Sequence, residues 1–418
     1  MASVFLVVFV AFANAFEFKT HGVVKQETVA RISPPRNFTA LKEELQLIGS
    51  GSFSKDLNSK ISGRFSYDPV YRYTDTFPPQ VRSDQQSVVE LRDTYLDYSR
   101  GPFDIRLGKQ QVVWGEAVGV FFADVVNAKD LREFILPDFD MIRIPQWGAD
   151  FEYTKNEFHA EFVWLPGIAM NKYGVTGSEF AFPFPVPEGA TYSYVDPQKP
   201  KTSFNNSETG LRLSYLLRGW DMSAFYYYTW DKAPAMYRSI SPSGVYQFDP
   251  RYNRLHIAGS TFSKELGDFV LKGEFVYNRK GSFSNMDPGN PDGISRKDYI
   301  DYLLGLDYTF WGKIDTNVQF MQRIIFKYDK ALLNEESVRN SFSFWVSRKF
   351  LEDRLEAEFL VITSLMEPDV MYRPKLTYTF KNNWKCRVGL DLFQGVSTGT
   401  FGKFEKKKRV YAQASYTF

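Results

Sequence analysis

Arg373 and Lys375 stand two residues apart, as do Lys385 and Arg387, and Glu356 and Glu358 precede both pairs. Side chains two apart in an extended chain point to the same face, so each pair offers a doublet of like charge. If the three segments are neighbouring strands of one sheet, a basic column stands beside an acidic one. Such columns opposed across a water-filled passage create a transverse field that orders water and selects polar or charged solutes. The same columns can neutralise each other as ion pairs within a packed barrel, and the two readings are compatible. Arg106 adds a further charge on the wet face of 103–107. The candidate solute path is therefore Arg106, Glu356, Glu358, Arg373, Lys375, Lys385 and Arg387.

Bond-making chemistry has less support. The three histidines are His21, His159 and His256. The alternation puts His159 and His256 toward the interior, and a hydrolase would need one of them beside a hydroxyl there. No G-x-S-x-G, H-E-x-x-H or phosphate loop occurs. The sole cysteine, Cys386, excludes an intramolecular disulfide and a cysteine metal cluster. The acidic stretch Asp287 to Asp292 lacks EF-hand spacing. The expectation is no enzyme activity, no cofactor and no metal. With 51 basic and 49 acidic residues the net charge is +2, which gives no footing for nucleic acid.

The elements that would carry these residues are strands. Trp384, Cys386, Val388, Leu390 and Leu392 alternate with Lys385, Arg387, Gly389 and Asp391. Leu211, Leu213 and Tyr215 oppose Arg212 and Ser214; Phe269, Leu271, Phe275 and Tyr277 oppose Lys272 and Glu274. A charge facing hydrocarbon at mid-bilayer costs about 2–4 kcal/mol for Lys or Arg, so in a membrane these must face a wet lumen. Mean hydropathy is −0.33 and 17% of residues are aromatic; alternating strands cancel in the mean, and aromatic girdles need the rings. Strands are expected near 18–30, 39–52, 59–73, 86–99, 102–114, 147–154, 157–165, 208–217, 219–231, 250–263, 268–279, 297–310, 314–328, 338–350, 354–365, 370–381, 384–395 and 408–418. In 86–99, Asp93 and Asp97 share a face with Val89, Leu91 and Tyr95, which demands a bulge or another register. Every second connection is tight, with Trp220, Trp311 and Trp384 beside three of them, while 115–146, 166–207 and 280–296 are long. Short turns at one rim and long loops at the other belong to outer-membrane barrels.

Two ends of the chain agree. Val4 to Phe12 is apolar and Ala13-Asn14-Ala15 fits a cleavage site, so 1–15 reads as a signal peptide, although no Lys or Arg precedes it. The last ten residues put Val410, Ala412, Ala414, Tyr416 and Phe418 on one face. A strand ending in an aromatic residue resembles the C-terminal signal read by the barrel assembly machinery.

The segment 115–146 breaks the alternation. Asn127 to Asp130 reads as a helix start, with a short helix over Leu131 to Ile135 that Pro137 ends. A segment this apolar should be buried, which favours folding back into the barrel as a constriction or plug. An outward lid, or two more strands at 118–126 and 138–146, are the alternatives. L-R-D-T-Y-L-D-Y (91–98), R-L-G-K-Q-Q-V-V-W-G-E (106–116) and D-V-V-N-A-K-D-L-R (124–132) together resemble a porin-like family of Gram-negative outer-membrane proteins catalogued as a domain of unknown function. The resemblance rests on a G-K-Q-x-V-x-W-G-E stretch and a following D-x-x-N-x-x-D. Gly108, Lys109, Gln110, Val112, Trp114, Gly115, Glu116, Asp124, Asn127 and Asp130 carry it. It implies an outer-membrane barrel, often suspected of handling hydrophobic compounds or lipids, with no known substrate.

The reading is thus an all-β chain: a transmembrane antiparallel β-barrel of about 18 strands over 16–418, with a helix-bearing loop in its lumen. Trp114, Glu116, Asp124, Asn127 and Asp130 are expected to position that loop by hydrogen bonds to wall charges. The expected role is a bacterial outer-membrane channel for small solutes or hydrophobic compounds. The alternative is a scaffold barrel for a periplasmic efflux, lipid-transport or electron-transfer complex, favoured by a wide lumen without an eyelet. Expected partners are outer-membrane lipid and lipopolysaccharide, to which Lys403 and the run Lys406 to Arg409 could bind. The assembly machinery, a periplasmic partner and further copies of the chain complete the expected set.

Overall fold

A computed structural model describes residues 17–182 and 191–418. The expected signal peptide lies outside the described residues. Eighteen strands form one closed antiparallel sheet. They are β1 (Glu17–Arg31), β2 (Phe38–Ser54), β3 (Leu57–Tyr67), β4 (Ser87–Arg100), β5 (Phe103–Gln110) and β6 (Gln146–Lys155). Then come β7 (Phe158–Leu165), β8 (Glu208–Leu217), β9 (Trp220–Trp230), β10 (Arg254–Leu266), β11 (Phe269–Ser284) and β12 (Ile294–Phe310). The last are β13 (Ile314–Ile325), β14 (Val338–Phe350), β15 (Leu355–Ser364), β16 (Asp369–Thr379), β17 (Trp384–Gly395) and β18 (Arg409–Thr417). Each strand pairs with its neighbour in sequence, and β1 pairs with both β2 and β18. Closure leaves no sheet edge, as a bilayer requires.

The alternation sorts the two faces. On β8, Leu211, Leu213 and Tyr215 are 44%, 43% and 46% exposed, whereas Glu208 is fully buried. On β17, Val388 is exposed while Asp391 is buried. Large apolar side chains on the outside and charges on the inside invert the pattern of a soluble protein and suit a hydrocarbon surround. On β4 the expected conflict is resolved by a bulge: the register with β3 shifts between Ile61 and Gly63. Val89 and Leu91 stay exposed while Arg92 is buried, so one inserted residue returns Asp93 and Asp97 to the interior.

Eight tight turns occupy one rim. Their sharp reversals use left-handed residues, among them Gly101, Asn156, Gly219, Gly267, Gly312 and Asn383. Gly22 and Phe418 exchange both backbone hydrogen bonds at that same rim. The long connections fill the other rim. Two strands end earlier than their pattern predicts. β3 stops at Tyr67, not at 73, because Pro69 starts helix α1 (Val70–Tyr73), followed by α2 (Pro79–Gln85). β5 stops at Gln110, not at 114, where the chain turns inward.

Candidate functional site

Past Gln110 the segment 111–145 enters the barrel and crosses it. Val112, Trp114, Ala123 and Val126 pack against Val163, Phe225, Tyr227, Leu255, Ile257 and Val276 of the wall. Further along, Ala117, Val120, Phe122, Phe134, Ile135 and Leu136 join a second cluster with Leu303, Met321, Ile362, Met371 and Phe393. The apolar character that breaks the strand pattern thus serves burial inside the lumen.

Polar wall residues fix the crossing. The Trp114 Nε1–H donates to Glu161 Oε2 at 2.9 Å, with its ring 5.1 Å from Phe225 and 5.8 Å from Tyr227. Gly210 makes the room, since a Cβ there would meet the Trp114 ring at 2.6 Å. Glu274 accepts the backbone N–H of Glu116 at 2.5 Å and of Ala123 at 2.7 Å. Gln319 both accepts from the Val118 N–H at 2.9 Å and donates to the Val118 carbonyl at 2.7 Å. A buried backbone without a ladder must find such partners, and Glu274 and Gln319 supply them here.

On the far side the loop meets cations. Lys42 Nζ lies 2.5 Å from Glu133 Oε1. Arg373 donates to the carbonyls of Ile135 and Leu136 at 3.3 and 2.7 Å, and to Asp391 at 2.8 Å. Arg387 lies 3.5 Å from Asp138, and Arg92 donates to the Asp140 carbonyl at 2.5 Å. Asp391, fully buried, also accepts from Arg409 at 2.7 Å. Burial pushes the Glu133 carboxyl up, but the Lys42 ammonium, with Arg409 and Arg64 near, outweighs it and holds it below the usual carboxylate range. A lowered pKa keeps the Lys42–Glu133 attachment through that range and loses it only at lower pH. Glu133→Gln should therefore remove an acid-side change in channel conductance that the wild-type chain shows below the usual carboxylate range. Bilayer recordings of the two chains across acid pH check it, and identical acid profiles would contradict it.

The sequence-chosen residues divide. Trp114 reaches the wall as expected, and Glu116 does so through its backbone; its carboxylate only approaches Lys272, at 4.0 Å. The other three do not touch wall charges. Asp124 pairs with Arg143 at 2.6 Å, and Asp130 pairs with Arg132 at 2.6 Å. Asn127 exchanges hydrogen bonds with the Val112 backbone at 3.3 and 2.6 Å. They shape the loop from within. The expected helix over Leu131 to Ile135 is absent: Ala128–Leu131 is a short strand, a turn follows, and helix α3 (Phe139–Ile142) begins only after Pro137. Asn127 spends its side chain on Val112, so no cap forms there.

A cavity of about 300 Å³ remains between loop and wall, and Glu358, Arg373, Lys375 and Arg387 line it. Lys375 pairs with Glu358 at 2.8 Å. The other expected path residues lie elsewhere. Arg106 pairs with Asp97 at 3.1 Å, Glu356 accepts from Ser347 at 3.0 Å, and Lys385 is exposed toward the short-turn rim. Lys42, Arg92, Glu161, Glu274, Gln319 and Asp391 were not singled out by spacing. Their one sequence signal is a charge or amide on the wet face of a strand, shared by many others. The basic run at the loop rim is also partly engaged. Lys403 stands 4.8 Å over the Phe182 ring, Lys407 lies 3.4 Å from Glu179, and Arg409 belongs to the wall. His256 faces outward beside Tyr226, 2.6 Å away, not into the lumen as expected. His159 faces inward, with Thr154 Oγ1 at 2.9 Å and Glu152 at 3.6 Å.

No curated protein matches the sequence. The chain is similar in fold to OccAB1 of Acinetobacter baumannii, at 9% identity and a TM-score of 0.57, with 97% of each chain covered. OccAB4 of the same organism gives 11% identity and 0.56, covering 96% of this chain and 98% of that one. OccK2 (OpdF) of Pseudomonas aeruginosa, solved in complex with glucuronate, gives 10% identity and 0.53, covering 96% and 98%. Residues 36–336 match the family described as "Protein of unknown function (DUF1302)". That match takes in the inward segment and the β7, β11 and β13 wall it joins, and the chain belongs to this family.

Proposed function

We propose that the protein is a passive channel of the bacterial outer membrane, carrying small polar solutes past a constriction made by 111–145. The observation that carries this is the crossing itself. The segment is pinned to β7, β11 and β13 on one side and to β2, β4, β16 and β17 on the other. What it leaves open is lined by charge. An 18-stranded barrel otherwise leaves a wide aqueous pore, so the loop sets what passes. The scaffold alternative asks for a lumen without an eyelet, and this one is crossed. Transport of apolar compounds asks for an apolar chamber beneath Phe121, Phe122, Phe134 and Ile135. Phe134 is instead packed among Phe180, Phe182, Phe393, Phe401 and Phe404, with centroids 5.0 Å from Phe404 and 6.1 Å from Phe401. The reading includes no catalysis. His159 does meet a hydroxyl, but Thr154 is its directly opposed cross-strand partner, and it does not line the 300 Å³ cavity. The test is steady ion conductance of the full chain in a planar bilayer.

A further inference from the structure

The charges around the cavity are segregated by the element that carries them. Among cavity-lining groups, β1 to β3 contribute the cations Lys25, Lys42 and Arg64. β16 to β18 contribute Arg373, Lys375, Arg387 and Arg409. Against these seven, the strands offer three lining carboxylates, Glu27, Glu44 and Glu358. The connections reverse the balance. Among the described residues they bring Asp68, Asp130, Glu133, Asp138 and Glu179 to the cavity against the single cation Arg132. Among the described residues the wall is thus four charges positive and the inserted connections four negative.

Several of these charges meet directly, as in Lys42–Glu133, Lys25–Glu44 and Lys375–Glu358. Arg387 and Asp138 are joined loosely. Their closest approach is 3.5 Å, the Asp138 side chain is 63% exposed, and the Arg387 Nε has no hydrogen-bond partner. Arg387 also reaches Gln413 at 3.3 Å. A cation held by a rigid strand therefore faces a solvated anion on the loop, in a loose contact at the cavity wall.

We propose that the constriction selects small zwitterions, solutes with a carboxylate and an ammonium a few ångströms apart, of the amino-acid type. The carboxylate takes the Arg387 side and the ammonium takes the Asp138 side, replacing their long contact with two shorter ones. A neutral solute of equal size gains nothing from the transverse field. A singly charged one is attracted by one face and repelled by the other. This inference rests on the channel reading above.

The test is the flux of labelled solutes into proteoliposomes bearing the full chain. Alanine is compared with the neutral isostere lactamide, with lactate and with alaninamide. Alanine should enter about threefold faster than any of the three at low ionic strength. Raising salt from roughly 0.01 to 1 M should bring the alanine to lactamide ratio toward one, as the Debye length falls from about 30 to about 3 Å. Asp138→Asn or Arg387→Met should lower the same ratio to about one. Salt screening on the wild-type chain decides the matter if those variants fail to fold. Equal flux of alanine and lactamide in the wild type overturns the zwitterion inference and leaves the channel standing. No flux of any solute overturns the channel, and this inference with it.

Discussion

Replacing residues 118–140 by a short Gly/Ser bridge should raise single-channel conductance by roughly threefold or more, toward the open bore of an 18-stranded barrel. The excised stretch contains the backbone groups held by Gln319 and the Ala123 contact to Glu274. It also contains Glu133 and Asp138, which meet Lys42 and Arg387. With it go the apolar side chains that fill the second cluster, including Phe134 and Leu136. None of the barrel's strand pairings lies within it, so the sheet should still close, as its β circular-dichroism signal would show. Unchanged conductance in a folded deletion would mean that the loop does not limit flow.

Asp391→Ala should destabilise the barrel by about 3–5 kcal/mol, the usual consequence of taking one partner from a buried ion pair. Asp391 is fully buried and holds Arg373 at 2.8 Å and Arg409 at 2.7 Å through its two oxygens. Its loss leaves two guanidiniums in an enclosed space with one carboxylate fewer. Arg373 would be freed to swing from the Ile135 and Leu136 carbonyls, so the loop should loosen too. Asp391→Asn keeps the shape and one accepting oxygen but not the charge, and should cost less. Urea unfolding in detergent micelles measures both, and an Asp391→Ala midpoint equal to wild type would contradict the assignment.

The barrel was legible because its pattern is repeated on every strand. A period of two places Leu211 and Arg212 on opposite faces wherever the strand sits, and the conflict at Asp93 announced the bulge before its position was known. The ends of β3 and β5 were not legible, since the apolar residues beyond them continue the alternation while Pro69 and the inward turn after Gln110 end it. The lumen loop shows the same limit more strongly. Its burial followed from its apolar residues, but Asn127 is equally suited to start a helix and to clamp a backbone, and only the proximity of Val112 decides. Glu274 is 151 residues from Ala123, and Gln319 is 201 from Val118. Such partners depend on closure of the barrel and leave no local trace. The charged ladder was half legible: Glu358 and Lys375 are cross-strand partners as expected, whereas Arg373 turned to Asp391 on the next strand.

The central claim is that the crossed barrel conducts. Single-channel recording of the full-length protein in planar bilayers tests it most directly. Discrete, steady, ohmic steps are expected at neutral pH, smaller than those of the 118–140 deletion. A correctly folded barrel that inserts and stays electrically silent would contradict it.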